Sequence, residues 1–236
     1  MFVGITERGD AGLDLQRWLE VYKKSITLDF VIAITKAPSI LWENRDILPR
    51  NLIIHATITG WGGLSMEPNV KAWHVELEAY NNLVNHFGPD KVVLRIDPII
   101  PIPEGVDAAV GLSTYCKGRL RISILDLYGH CQDRMTLDKV AFFPRLKALY
   151  GETLHLNSQL RFEILSKFPN AEICGEPGFK SVGCVSELDY KALGLPVPIN
   201  NFKTKQRPSC SCLAQKKELL SNKHQCKHGC LYCYWK

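Results

Sequence analysis

The sequence predicts an α/β fold, a partial (β/α)6 barrel of parallel strands with a cysteine-rich C-terminal segment docked over the barrel mouth. Three observations lead there. Short β-branched runs alternate with segments of helical period along the 236 residues. The strand-like runs are nearly continuous in apolar residues, as parallel strands buried on both faces require. Polar residues recur where those runs end, at the edge that forms the working face of parallel β/α barrels.

Phe2 to Thr6 reads as the first strand, followed by a helix from Gly12 to Lys24 with Leu13, Leu15, Trp18 and Leu19 inward. Phe30 to Thr35, Leu52 to Thr59, Lys91 to Asp97, Leu120 to Leu125 and Ala171 to Cys174 give five more strands, each bounded by Pro, Gly or Asn signals. Helices are expected near Ser39 to Leu48, Val70 to Phe87, Val106 to Cys116, Leu137 to Leu149 and Leu154 to Phe168. With 46% apolar residues the chain can build one sizeable core. Pro196, Pro198, Asn200 and Asn201 then interrupt the pattern, so residues 1–195 read as the barrel and 196–236 as a cluster-binding segment of the same structural unit. That segment is too polar to form a core alone and needs a metal centre or docking on the barrel.

The net charge of +5 is unevenly placed. Between Asn201 and Lys236 stand eight basic residues, Lys203, Lys205, Lys216 and Lys217 among them, and one acid, Glu218, which makes the tail +7. Such a tail can meet phosphate, offset an anionic metal–thiolate group, or be a solvated surface. No apolar run approaches the roughly 18 residues of a membrane span, and the N-terminal residues lack the pattern of an export signal. A cytoplasmic protein without membrane contact is expected. Nine cysteines then point to metal or cluster ligation rather than disulfides.

Cys226, Cys230 and Cys233 form a Cys-x3-Cys-x2-Cys loop with Gly229 at its bend and Tyr232 before the last cysteine. Three thiolates so spaced can each ligate one iron of a four-iron cluster and leave one iron open. A structural zinc ion is the competing reading, and it needs a fourth ligand such as His224, His228 or a distant cysteine. Otherwise these two histidines tune the loop or face solvent.

At this loop the sequence resembles the radical S-adenosylmethionine superfamily, whose Cys-x3-Cys-aromatic-Cys segment holds a 4Fe-4S cluster. That superfamily normally carries the loop after its first strand, whereas here it lies at the C-terminal end. In this the chain is similar to a smaller family of largely unassigned function, related to spore photoproduct lyase. The resemblance extends over nearly the whole chain, through Ile34-Thr35-Lys36-Ala37-Pro38, Thr57-Ile58-Thr59-Gly60 with Glu67-Pro68-Asn69, Phe87-Gly88-Pro89, Leu94-Arg95-Ile96-Asp97-Pro98-Ile99, Ile122-Ser123-Ile124-Leu125-Asp126-Leu127-Tyr128 and Cys210-Ser211-Cys212. It implies reductive cleavage of S-adenosylmethionine at the open iron, a 5′-deoxyadenosyl radical that abstracts hydrogen from a substrate, and an electron donor such as flavodoxin or ferredoxin. A modified pyrimidine nucleotide or DNA base, transformed by a lyase or isomerase reaction, is the substrate the relationship suggests.

Within that frame, Thr35, Lys36, Thr59, Glu67, Arg95, Asp97, Ser123 and Tyr232 are the residues expected around the cofactor. Arg95 and Asp97 share one strand face and can pair, Arg95 presenting its fork to a carboxylate, although a purely structural pair fits equally. Glu67 suits an ammonium or ribose hydroxyls, and Lys36 an anion. Thr and Asp at strand ends also cap helices and order turns. Four further cysteines, Cys174, Cys184, Cys210 and Cys212, could close around zinc or a second iron–sulfur cluster, or remain separate thiols. Cys131 is either a packing residue or a hydrogen-atom donor. The alternative to an enzyme is a zinc or iron–sulfur module that binds nucleic acid through the basic tail.

Overall fold

Valine and isoleucine are stiff at χ1 and pack well on a pleated surface, and they fill the runs that become strands. These are β1 (Phe2–Ile5), β2 (Leu28–Thr35), β3 (Leu52–Thr57), β4 (Val92–Ile99), β5 (Arg119–Ile124) and the short β6 (Glu172–Ile173). The computed structural model describes residues 2–25, 27–198, 210–221 and 226–235. In it these strands and a seventh, β7 (Gln215–Glu218), pair in the order β6-β5-β4-β3-β2-β1-β7, every pair parallel. The result is a curled half-barrel flanked by helices.

The seventh strand extends the six expected from the sequence. Gln215-Lys216-Lys217-Glu218 has no apolar residue, so periodicity could not reveal it. It forms because β1 offers an open edge, and because Lys216 donates to Glu7 Oε2 at 2.9 Å while Leu219 and Leu220 bury behind it. The tail is therefore held to the barrel by strand addition.

The helices are α1 (Leu15–Lys23), α2 (Pro38–Glu43), α3 (Trp73–Phe87), α4 (Pro103–Ser113), α5 (Gly129–Leu137), α6 (Phe143–Tyr150), α7 (Ser158–Leu165) and α8 (Glu187–Ala192). The helix expected from Leu137 to Leu149 starts later, as α6, and α5, which was not expected from the sequence, ends at Leu137 just before Lys139 takes a positive φ of 49°. The α8 helix went unread because it is short, but its start is marked: Ser186 and Asp189 bond reciprocally as a capping box. No described helix is long and apolar enough to cross a membrane.

Alternation along the strands divides the core into two layers. Val31, Ala33, Leu94 and Ile96 face one way and pack with Trp18, Leu41, Tyr80 and Leu146 of the helices. Phe30, Ile32, Ile34 and Val93 face the other way, into the half-barrel, where Tyr190 of α8, Cys174, Cys184 and Cys212 cover them. Register places Thr57, Arg95, Arg121 and Glu172 in one row across this inner face. The row leads toward the carboxyl ends of the strands.

Candidate functional site at the carboxyl edge of the sheet

The three-cysteine loop sits at this edge, held by residues from four separate segments. Gly229 adopts φ +68°, and a Cβ there would stand 3.1 Å from Asn69 Nδ2, so the bend suits glycine on both counts. Asn69 Nδ2 donates to Lys227 O at 2.9 Å, Asn69 N to His228 O, and Leu231 N to Met66 O. From α5, Arg134 donates to Leu231 O at 2.9 Å and to Cys233 O at 2.5 Å. His228 is buried and donates through Nε2 to Asp10 Oδ2 at 2.9 Å. Asp10 in turn accepts from Gly12 N, Leu13 N, Thr35 Oγ1 and Lys36 N, and so ties the loop to the ends of β1 and β2. Of the two histidines beside the loop, His228 is thus a buried anchor, and His224 lies outside the described residues.

A polar quartet fixes the aromatic residue of the loop. Glu67 Oε1 accepts from Lys36 Nζ at 2.8 Å, from Thr59 Oγ1 at 2.7 Å and from the Tyr232 hydroxyl. The Lys36 ammonium lies 5.2 Å from the Tyr232 ring centre. Burial opposes charge on Glu67, but Lys36 and the hydrogen bonds outweigh it and hold the carboxyl below its usual range. Burial likewise opposes charge on Lys36, and Glu67 with Cys230 overcomes it. The pair stays ionised beside the loop. Burial pushes the Cys230 thiol up to about 12.

This loop and the strands from β2 onward fall inside one family pattern: a model described as "Domain of unknown function (DUF1848)" matches residues 15–235. The chain belongs to the DUF1848 family. No curated protein and no solved structure matches it.

In this DUF1848 chain the expected cofactor residues take different parts. Lys36, Thr59, Glu67 and Tyr232 come together in the quartet. Arg95 and Asp97 form a salt bridge, and Ser123 donates to Asp97 Oδ1 at 2.5 Å. Thr35 is occupied by the turn that follows β2, donating to Asp10 and accepting from Ala37 N at 2.8 Å. Cys131 on α5 is buried with its sulfur 3.4 Å from the Arg134 guanidinium, and burial pushes its thiol up to about 11. It therefore sits beside the loop as a thiol. Cys174, Cys184, Cys210 and Cys212 converge elsewhere, on the inner face.

Asp10 and Arg134 were not singled out from the sequence, and Asn69 entered only within the Glu67-Pro68-Asn69 segment. Asp10 carried one signal, its place between Gly9 and Gly12 just after a strand, where an Asx turn is expected. Arg134 carried none, since its targets are carbonyls of a distant segment.

Next to the quartet opens a cleft of about 180 Å³ lined by Lys36, Thr57, Thr59, Glu67, Lys71 and Glu76. That space is partly open to solvent, and its enclosed part has room for about one water. Thr57 Oγ1 and Arg95 Nε are buried near this edge without a partner, as is Nδ1 of His228. Buried polar atoms are normally satisfied, so these are positions where a polar ligand would bind. Among the described residues no group of three or more His, Cys, Asp and Glu side chains is already arranged to hold a metal ion. The loop's donors are nonetheless chemically suited to iron–sulfur ligation, being three thiols with buried cationic and aromatic neighbours.

Glu176 adds a pH dependence at the same edge. It accepts from Ile124 N at 2.7 Å, and burial, with Asp126 and Asp97 nearby, pushes its carboxyl up to about 7. A folded-state value above the unfolded one means the stabilisation is full below pH 4.5 and is lost as pH rises through 7. Urea unfolding across this window is expected to show a decline on the order of 1–3 kcal/mol. Glu176→Gln, which keeps the acceptor, removes part of that decline, the rest coming from Glu218, whose carboxyl burial also pushes up to about 7; an unchanged slope would show that Glu176 is not a source.

Proposed function

We propose that this protein is a radical S-adenosylmethionine enzyme whose Cys226, Cys230 and Cys233 hold a 4Fe-4S cluster. The observation that carries the reading is the seat of the loop: Tyr232 and Cys230 lie against Lys36 and Glu67 at the carboxyl ends of the strands, the face where β/α barrels do their chemistry. When bound, the cluster supplies the electron that cleaves S-adenosylmethionine to methionine and a 5′-deoxyadenosyl radical. The chain does the rest. Lys36 offsets thiolate charge, Tyr232 fixes the loop between two ligands, and Asp10 with His228 locks it to the sheet. Glu67, Thr57, Thr59 and Arg95 provide polar groups for the cofactor's amino acid end, and Cys131 offers an S–H bond next to the loop.

The substrate suggested by the resemblance is a modified pyrimidine nucleotide or DNA base. Part of the tail charge behind the nucleic-acid idea serves the fold instead: Lys216 pairs with Glu7 and Lys217 donates to Ser25. Lys203 and Lys205 lie outside the described residues. This favours the enzyme over a module that binds nucleic acid only through its tail.

Anaerobic reconstitution with iron and sulfide tests the cluster. The expected product is brown and carries about four irons per chain at the loop, and Cys226→Ala, Cys230→Ala and Cys233→Ala each lose them. Wild-type protein that takes up no iron would overturn the proposal.

A further inference from the structure

Four thiols meet where the half-barrel is open. Cys174 follows β6, one edge strand of the sheet, and Cys212 precedes β7, the other edge strand. Cys184 lies between β6 and α8, and Cys210 two residues before Cys212. All four are free thiols; three are buried, and Cys210 is half-buried. The Cys184 thiol is hydrogen-bonded to those of both Cys174 and Cys212, and the Cys210 thiol donates to Cys212 Sγ at 3.4 Å. Three stretches of chain therefore bring four sulfurs into one continuous line of contacts.

The backbone is shaped for this meeting. A Cβ on Gly183 would stand 2.5 Å from Cys212 N, so only glycine lets the two segments approach so closely. Leu213 N donates to Val185 O at 3.1 Å alongside. Buried cations surround the sulfurs: Arg95 and Arg121 act on Cys174, and Arg95 and Lys216 on Cys184.

We infer that Cys174, Cys184, Cys210 and Cys212 form a tetrathiolate site for one zinc ion, which staples the two edges of the half-barrel together. The sulfur spacing selects a single ion. Zinc–sulfur bonds of about 2.3 Å set tetrahedral edges of about 3.8 Å, the scale of thiols in contact. Ligands on separate irons of a four-iron cluster stand farther apart than that. Zinc closes the line of contacts into a tetrahedron, and four thiolates complete a structural site with no open position. The inference is independent of the three-cysteine loop.

Full-length protein with Cys226, Cys230 and Cys233 all replaced by Ala tests it, because that chain has lost the loop's ligands. About one zinc per chain is expected, released by a mercurial and measured with a chromogenic chelator. Replacing zinc by cobalt(II) should give the intense visible bands of a tetrahedral tetrathiolate. Adding Cys184→Ser or Cys210→Ser should abolish that spectrum and the stoichiometric zinc. Cys210, the most exposed of the four, is the replacement least able to disturb folding. A triple variant that binds neither zinc nor cobalt would overturn the inference, as would binding indifferent to Cys184 and Cys210, or about four irons held at these thiols after reconstitution.

Discussion

Glu172→Gln is expected to lower stability by about 3–5 kcal/mol, the usual cost of stripping the partner from a buried charge. Arg121 has no solvent exposure, and its guanidinium reaches Glu172 through Nε at 3.1 Å and through a terminal nitrogen. Its other partners, His55 Nε2 and the Cys184 carbonyl at 3.3 Å, are neutral. Burial first, and then Arg121, holds His55 well below its usual range, so the imidazole accepts without charge. Arg119 also depends on Glu172, at 2.6 Å, although it keeps Asp189 at 2.7 Å. Glutamine preserves shape and removes only charge. Chemical unfolding of the single variant and of the double variant with Arg121→Met separates the two effects: the double variant should recover most of the loss. A loss below about 1 kcal/mol in the single variant would mean that Arg121 is compensated elsewhere.

Glu67→Gln is expected to cost about 3 kcal/mol and to loosen the cysteine loop selectively. The carboxylate receives three donors on one oxygen, and Lys36, only 15% exposed, has it as its salt-bridge partner. Without that charge the ammonium must seek water or lose its proton, and either change withdraws it from Tyr232. The expected result is faster proteolysis after Tyr232 and faster alkylation of Cys230, ahead of global unfolding. Unfolding and loop accessibility that both match the parent would show that the quartet does not hold the loop.

Much of the barrel was legible because parallel strands buried on both faces announce themselves as apolar runs, and Phe30 to Thr35 is a clear instance. The polar edge strand β7 was not legible, since its energetics lie in the vacant edge of β1 and in the Lys216–Glu7 pair, neither of which is local to it. The site divides in the same way. Lys36, Thr59, Glu67 and Tyr232 were each recognisable as polar residues near strand ends or beside the cysteines, but that one carboxylate oxygen joins all of them depends on a loop 165 residues away in sequence. Asp10, Asn69 and Arg134 act largely on backbone groups of remote segments, a role that residue type alone does not reveal. Thr35 shows the converse: its position suggested a ligand contact, and its hydroxyl instead orders the turn between β2 and α2.

The central claim is that the cysteine loop supports reductive cleavage of S-adenosylmethionine, and product analysis under strict anaerobiosis tests it most directly. Reconstituted protein is mixed with S-adenosylmethionine and dithionite, and the products are resolved by chromatography and mass spectrometry. The account predicts 5′-deoxyadenosine and methionine in equal amounts from the parent chain and neither from Cys230→Ala. Protein that carries its full iron complement yet forms no 5′-deoxyadenosine, or a Cys230→Ala chain that forms it as fast as the parent, would contradict the account.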